Sequence, residues 1–475
     1  MTQLKHVVYQ PLRTPQGCYI YDRSVDTIFA VSEEEYAEFK RLRDRTDPCD
    51  SPIVQRYQQR GLLRENHVTV IRHPSTDALP HYCSNCLSSM ILQVTQQCNL
   101  RCKYCAYSGA YYNRTHNSAR MSFETAKRAI DFLLARSHES DHVHVGFYGG
   151  EPLLEFDLIK RCVDYVKKSV EGRTITFGIT TNATLLNDEK IRFLAENDVE
   201  LTVSIDGSKE EHDACRVFPD GSGSYDIVMR NIRRLTTLYP DYASRMMIST
   251  VVSPKSDLNH VLNYFHSSEV LSDRNIIMTP LVDVGLKKQV YYQDDFFQIR
   301  KYEYLKFLLS MLGKIDQKYI SPLVISAKQD TEKLYRQLQK HNEIPASVHH
   351  GGPCIPGIRR MFVMSDGTIL PCEKISQSIK CSRIGSVDVG FNLNNMEWLM
   401  NIGSMTEDAC KDCWALSHCR ICAAEIDYKE DQDGFTKEQN LTACEKSRRA
   451  VMGDLYEMCV LHEFGYRLNE ERIIL

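Results

Sequence analysis

Eighteen cysteines lie in 475 residues, and most of them are clustered. Cys98, Cys102 and Cys105 bring three thiols into eight residues. Seven more lie toward the carboxyl end: Cys354, Cys372, the array Cys410-x2-Cys413-x5-Cys419-x2-Cys422, and Cys444. The opening segment, MTQLKHVVYQPLRTPQ, has no apolar secretory core, so a reducing compartment is expected. There, clustered cysteines read as metal ligands or catalysts rather than disulfides. A paired CxxC array is a strong metal signal, and zinc is its first alternative. Three local thiols are different. They leave one position of a four-coordinate centre, or one iron of a [4Fe–4S] cube, open for chemistry. Cys83 and Cys86 form a further CxxC that reads equally as a redox pair, cluster ligands or free thiols, and no role is assigned to it. Cys18, Cys49, Cys162, Cys215 and Cys459 are scattered and read as inert thiols.

The elements that must position these thiols alternate. Apolar strand-like runs lie at 90–95, 142–148, 174–181, 199–205, 246–252 and 275–282. Helical patterns fall between them. Ser122 caps a run carrying Ala126, Ile130 and Leu133, and Asn187 caps one carrying Ile191 and Leu194. Further patterns occupy 158–170 and 225–238. This alternation predicts an α/β fold, a partial (β/α)6 TIM-type barrel over 88–285. In that architecture function sits in the loops after the strands, and the 98–105 loop directly follows the first strand. Gly149-Gly150-Glu151-Pro152 follows the second, Thr181-Asn182 ends the third, Ser204 and Asp206 end the fourth, and Arg216 comes soon after.

Residues 1–80 hold three strand-like pieces and a capping box at Ser32–Glu35. A break at Asp47-Pro48 and a second helix over 51–59 complete a small winged-helix-like α+β domain. Residues 286–350 read as a helical bridge. From 351 the periodicity weakens while glycine, proline and cysteine rise, and FVMSDGTILPC reads as a hairpin turning at Asp366-Gly367. Residues 351–450 are expected to organise around metal centres, and 451–475 to be a helix and tail. A last helix is expected over about 441–463.

Composition narrows the function. With 43% hydrophobic and 25% charged residues the chain is no disordered segment, and a net charge of −4 excludes a protein held mainly by nucleic-acid phosphates. No apolar stretch approaches the ~20 residues of a membrane span, so a cytoplasmic protein is expected.

C-x3-C-x2-C with an aromatic before the last cysteine resembles the radical S-adenosylmethionine (SAM) enzymes. The resemblance implies that Cys98, Cys102 and Cys105 hold a [4Fe–4S] cluster whose open iron takes the amino and carboxylate groups of SAM. It places Tyr104 by the adenine and Gly149, Gly150, Glu151 and Pro152 at the amino group. Thr181, Asn182, Ser204 and Asp206 then line the site, with Arg216 on the carboxylate.

The carboxyl-terminal cysteines resemble the SPASM extension of that family. Carried over, Cys354, Cys372 and Cys422 belong to a first auxiliary [4Fe–4S] cluster, and Cys410, Cys413, Cys419 and Cys444 to a second, three clusters in all. Two departures stand out: the last spacing is x2 where the family commonly has x3, and the first set has only three cysteines. Its fourth iron is then open to a substrate thiolate, or bound by Cys381 or a thiol from elsewhere.

Residues 1–80 resemble a PqqD-like peptide-recognition element, which binds a leader by strand addition. Together these imply a maturase that forms thioether crosslinks (sactipeptide or ranthipeptide type) in a ribosomally made precursor peptide, with an electron donor such as flavodoxin or ferredoxin. The alternatives are an anaerobic sulfatase maturase making formylglycine, carbon–carbon crosslinking of a peptide, and a non-enzymatic zinc-binding module. Sulfatase maturases commonly carry Asp after the PC of the first auxiliary set. This chain has Glu373 there, its one candidate catalytic side chain.

Overall fold

Near-continuous buried runs along three short strands, β1 (Tyr9–Arg13), β2 (Cys18–Asp22) and β3 (Thr27–Val31), give an antiparallel meander covered on both faces. A computed structural model describes it together with residues 6–43, 51–170, 172–292, 294–429, 433–468 and 474. Ile20 and Phe29 pack on the helices Glu33–Arg43 and Pro52–Gln58 through Phe39, Val54 and Tyr57. Tyr19, Tyr21 and Ile28 face the other way, onto Tyr335, Val451 and Leu455. The expected capping box is present: Glu35 N–H donates to Ser32 Oγ at 3.1 Å and Ser32 N–H to Glu35 Oε2 at 2.8 Å. Asp47-Pro48 lies outside the described residues.

After a short strand β4 (Val70–Ile71) and the helix Leu79–Asn85, the six expected parallel strands appear. They are β5 (Ser89–Thr95), β6 (His142–Gly149), β7 (Thr174–Thr181), β8 (Glu200–Ser204), β9 (Met247–Val252) and β10 (Asn275–Pro280), neighbours in that order. Helices Phe123–Leu134, Phe156–Ser169, Asp188–Glu196, Tyr225–Leu238 and Leu258–Ser267 cover one face. Ser122 and Asn187 cap two of them, each side-chain oxygen accepting from the backbone three residues on at 3.0 Å. Met90, Leu92, Val145, Phe147 and Ile248 point outward into the helices and are buried. Small or polar residues, Gly146, Gly178, Thr180 and Thr202, line the interior beside Ile91, Tyr148 and Met247. A closed barrel fills its interior with branched side chains. Here a cavity of about 220 Å³ remains, many times the ~10–15 Å³ that holds one water.

The sheet stays open at β10 and grows on the other side. After the helices Asp294–Met311 and Pro322–Leu338, strand β11 (Ser347–Val348) pairs with β4. Then β12 (Met361–Val363) lies parallel beside β5, followed antiparallel by β13 (Thr368–Leu370), β14 (Gly385–Ser386) and β15 (Gly390–Phe391). The predicted hairpin is β12–β13, closed by Gly367 N–H on Met364 O at 2.9 Å. Residues 351–450 therefore do not stand apart: Met361, Phe362, Ile369 and Leu370 lie in the barrel's own core. Three-residue strands bury too little to make a separate core, so they extend an existing sheet. The boundary expected at 450 falls within a helix. Lys437–Glu463 is one helix, capped by Thr436 and Gln439, and residue 450 is in its middle. Among the described residues, no helix is long and apolar enough to cross a membrane.

Candidate functional site

β5 ends at Thr95, and the next ten residues fold back on themselves. Cys105 N–H donates to Cys102 O at 3.1 Å, Leu100 N–H to Cys98 Sγ at 3.4 Å, and Tyr107 N–H to Cys105 Sγ at 3.5 Å. The loop thereby gathers its three thiols. Burial pushes Cys98 up to about 12 and Cys102 to about 11, and Cys105 is raised by the same cause. Each of the first two is raised further by its neighbours in the set. Thiols crowded in this way stay protonated alone and become thiolates against a cation, which is the donor chemistry a metal cluster requires.

Gly149 ends β6 and Gly150 follows it for a reason the sequence does not disclose. A side chain at Gly149 would overlap the Thr95 carbonyl, and one at Gly150 the Gln97 carbonyl. The chain after β6 lies directly on the cysteine loop, bonded Gly150 N–H to Thr95 O at 3.0 Å and Glu151 N–H to Gln97 O at 2.9 Å. The two glycines permit that approach of backbone to backbone.

Glu151, 1% exposed, is a clip. It accepts from Leu153 N–H at 3.0 Å, Thr181 Oγ1 at 2.7 Å and Asn182 N–H at 2.8 Å, so it binds the end of β6 to the end of β7. Pro152 starts a short turn at its side. Asn182 carries the linkage on, donating Nδ2 to Asn99 Oδ1 at 2.9 Å inside the cysteine loop. Asn99 is a residue that sequence reasoning missed.

Asp206 organises the next corner. Arg216 Nε donates to Asp206 Oδ2 at 2.9 Å, the Tyr104 hydroxyl donates to the same oxygen, and Val251 N–H donates to Oδ1 at 3.1 Å. The guanidinium lies 5.4 Å from the Tyr104 ring centroid. Arg216 is only 7% exposed, and its charge is stabilised by Asp206. Ser204 is half-buried at the end of β8. Asn182 Nδ2 lies 3.9 Å from Cys98 Sγ, and Arg216 and Asp206 are charged neighbours of Cys102.

The carboxyl-terminal cysteines part into two groups. Cys410, Cys413, Cys419 and Cys444 line one pocket. Ser447 Oγ donates to Cys419 Sγ at 3.2 Å, and Thr406 Oγ1 lies 3.5 Å from Cys410 Sγ. Burial raises Cys410 to about 12 and Cys444 to about 11, and facing thiols of the group add to both. In the other group, Cys354 raises both Cys372 and Cys422 after burial does. Cys381 lies elsewhere, its N–H on Asp433 O at 3.0 Å, its Sγ 3.8 Å from the side-chain position of Gly434, and Asp433 its charged neighbour.

Glu373 follows Cys372 and borders the barrel cavity. Arg360 Nη1 holds Glu373 Oε1 at 2.8 Å, while Oε2 is buried without a partner. Above it runs a polar network: Gln93 Nε2 donates to Gln377 Oε1 at 3.1 Å, Arg114 Nε to the same oxygen at 2.5 Å, and Gln377 Nε2 to Tyr107 OH at 2.7 Å. Arg114 stacks 3.7 Å from the Tyr107 ring centroid, and its Nη2 is buried and unpartnered. The available signal was Gln93 itself. A glutamine inside an apolar strand must find a buried partner.

Residues 92–264 match the model of the Radical SAM superfamily. An uncharacterized protein, MJ0907 of Methanocaldococcus jannaschii, is 36% identical over 170 residues, covering 36% of this chain and 54% of that one, about half its length. A cysteine-type anaerobic sulfatase-maturating enzyme of Clostridium novyi is 25% identical over 342 residues, 70% of this chain and 87% of that enzyme. The solved structure of His6-tagged anSMEcpe with bound AdoMet shares the fold at 22% identity and a TM-score of 0.53, over 77% of this chain and 94% of that one. Residues 92–264 are a radical SAM domain.

Proposed function

We propose that this protein is a peptide maturase that binds SAM and three [4Fe–4S] clusters and joins a cysteine sulfur of its substrate to carbon. The observation that carries the reading is the division of the carboxyl-terminal thiols into a group of four and a group of three. Four thiolates complete a cube, and three leave an iron for a substrate thiolate. Cys98, Cys102 and Cys105 would hold the cluster that binds SAM, and their crowded thiols fit that donor set. SAM at such a reduced cluster supplies a 5′-deoxyadenosyl radical, which takes hydrogen from an unactivated carbon.

The chain's own residues do the positioning. Asp206 holds the Nε edge of Arg216 and so orients its fork toward a carboxylate. Backbone carbonyls around Gly149 and Gly150 accept from an ammonium. Glu151 and Asn182 fix those loops to the cysteine loop. The cavity beside Gly146, Gly178, Thr180 and Thr202 leaves room for a peptide side chain in the barrel, and Glu373 Oε2 is a buried acceptor on that wall. Residues 1–80 would bind the peptide leader by strand addition at β3, whose edge carries one parallel bridge, Ile28 to Ile474. A flavodoxin or ferredoxin would supply electrons.

A second reading has its own support. The similarity to a cysteine-type sulfatase-maturating enzyme runs through 342 residues, although Glu373 departs from the Asp that family commonly has there. Formylglycine formation and thioether formation separate by mass spectrometry of a cysteine-containing precursor with and without iodoacetamide. A thioether product is lighter by two hydrogens per bond and loses one alkylatable thiol per bond. Formylglycine loses the sulfur mass. A carbon–carbon crosslink is lighter by two hydrogens with every thiol still alkylatable, and either of these last outcomes would refute the thioether.

A further inference from the structure

We propose that His81, Cys86 and Glu139 form a site for a divalent transition ion of the zinc class, apart from the cluster cysteines. An imidazole nitrogen, a thiol sulfur and a carboxylate oxygen from these residues all lie within 4.8 Å of one another. His81 Nε2 is 3.0 Å from Glu139 Oε1, and the Cys86 thiol donates to Glu139 Oε2 at 3.4 Å. The ligands converge because two elements are tied together beneath them. Glu139 N–H donates to Asn85 O at 2.9 Å, and Leu87 N–H to Arg136 O at 2.9 Å. His81 comes from the helix Leu79–Asn85, Cys86 from its carboxyl cap, and Glu139 from the turn after the helix Phe123–Leu134.

The mixed set selects the ion. Magnesium and calcium demand oxygen cages, whereas sulfur, imidazole and carboxylate together suit zinc. Three protein ligands leave a fourth position for water, in keeping with side chains of His81 and Glu139 that are each 54% exposed. Asn85 supplies the outer support: its amide nitrogen lies 3.3 Å from His81 Nδ1. Turned to present its oxygen, the same amide would accept from Nδ1–H and leave Nε2 as the donor to the ion.

Cys83 does not belong to the site. It is buried, its thiol 3.7 Å from Met396 Sδ, and burial pushes it up to about 12. The CxxC is therefore divided by the helix on which it lies, one thiol facing the core and the other facing Glu139. An ion here would clip the segment entering β5 to the segment entering β6. The far ends of those strands carry the cysteine loop and Gly149–Gly150.

The test uses iron-loaded protein, given one equivalent of Zn²⁺ anaerobically and then desalted, with zinc and iron counted in the same sample. One zinc per chain at undiminished iron is expected. Its X-ray absorption should show one sulfur at ~2.3 Å and nitrogen or oxygen at ~2.0 Å. Cys86→Ser and His81→Ala should each weaken zinc binding at least tenfold with iron and SAM cleavage unchanged, and Cys83→Ser should not. Absence of bound zinc, zinc retained undiminished in both variants, or zinc gained only as iron is lost would each overturn the site. Because iron and SAM cleavage are read alongside, failure of this site is distinguished from failure of the cluster cysteines.

Discussion

Arg23, only 1% exposed, donates Nη1 to the backbone carbonyl of Cys413 at 3.2 Å and to that of Lys411 at 2.6 Å. Its Nη2 reaches Asn66 Oδ1 at 2.5 Å, and nearby Asp26 Oδ1 meets His418 Nε2 at 2.7 Å. The amino-terminal unit is thus fastened to the loop that carries the four-thiol group. A buried guanidinium on carbonyls is costly to remove, since each acceptor left bare costs about 1–3 kcal/mol.

Arg23→Met should therefore lower stability by about 2–4 kcal/mol. It should also release ~4 irons per chain, those of the Cys410–Cys444 group, while SAM cleavage persists. Thermal melting and iron analysis of the same preparation check both halves. A full iron complement in the variant would show that the fastening does not shape the loop.

Asp206 has a comparable hold on Arg216. Asp206→Asn keeps the shape and removes the charge that steadies the guanidinium. Breaking one side of a buried pair costs about 3–5 kcal/mol. SAM affinity should fall at least tenfold with iron content unchanged, as read by calorimetry of SAM binding. A variant binding SAM normally would leave the pair a purely structural one.

Much of this arrangement was legible in the sequence, and the legible part was local. Strand runs and the caps at Ser122 and Asn187 depend on neighbours a few residues away, so spacing reveals them. The division of the carboxyl-terminal cysteines into a three and a four was implied by the SPASM resemblance, not by their spacing. What was hidden depends on distant chain. β12 pairs with β5 across the whole domain, Met361 opposite Met90, and three apolar residues do not declare such a partner. Gly149 and Gly150 announced a close approach but not that Thr95 and Gln97 make it. Cys83 and Cys86 have the spacing of a ligand pair, and only the packing of their helix parts them.

His212 gives the fold a dependence on pH. It is fully buried, its Nε2 2.9 Å from Ser224 Oγ and its ring against Tyr225. Burial first, and then the Arg216 charge, lower it from 6.5 to about 4, with Asp206 opposing. The unfolded chain therefore takes up the proton first. This contribution is complete above pH 6.5 and is lost as pH falls from there toward 4, on the order of 3 kcal/mol in all. Urea unfolding at several pH values should show that slope, and His212→Gln should flatten it. Equal slopes in the two proteins would remove His212 as its source.

Gly352 sits at the join between the two carboxyl-terminal thiol groups. Gly352 lies two residues before Cys354 and packs on Arg420 and Ile421, the segment between Cys419 and Cys422. An added Cβ would overlap the Ile421 carbonyl and the Arg420 carbonyl carbon. Both are backbone atoms, so neither can swing aside as a side-chain end would, and one segment must move. Gly352→Ala should then separate Cys354 from Cys422 and disable the three-thiol group first. Iron should drop by ~4 per chain from the ~12 expected of three cubes. The Cys98–Cys105 loop is held by β5 and β6 and should keep its cluster, so deoxyadenosine release without peptide should persist. Crosslinking of the peptide should fall at least tenfold, because that group is where the substrate sulfur is proposed to bind. Alanine accepted with full iron and full crosslinking would show that the close packing at Gly352 is dispensable. Loss of SAM cleavage as well would show that the three cluster sites do not assemble independently.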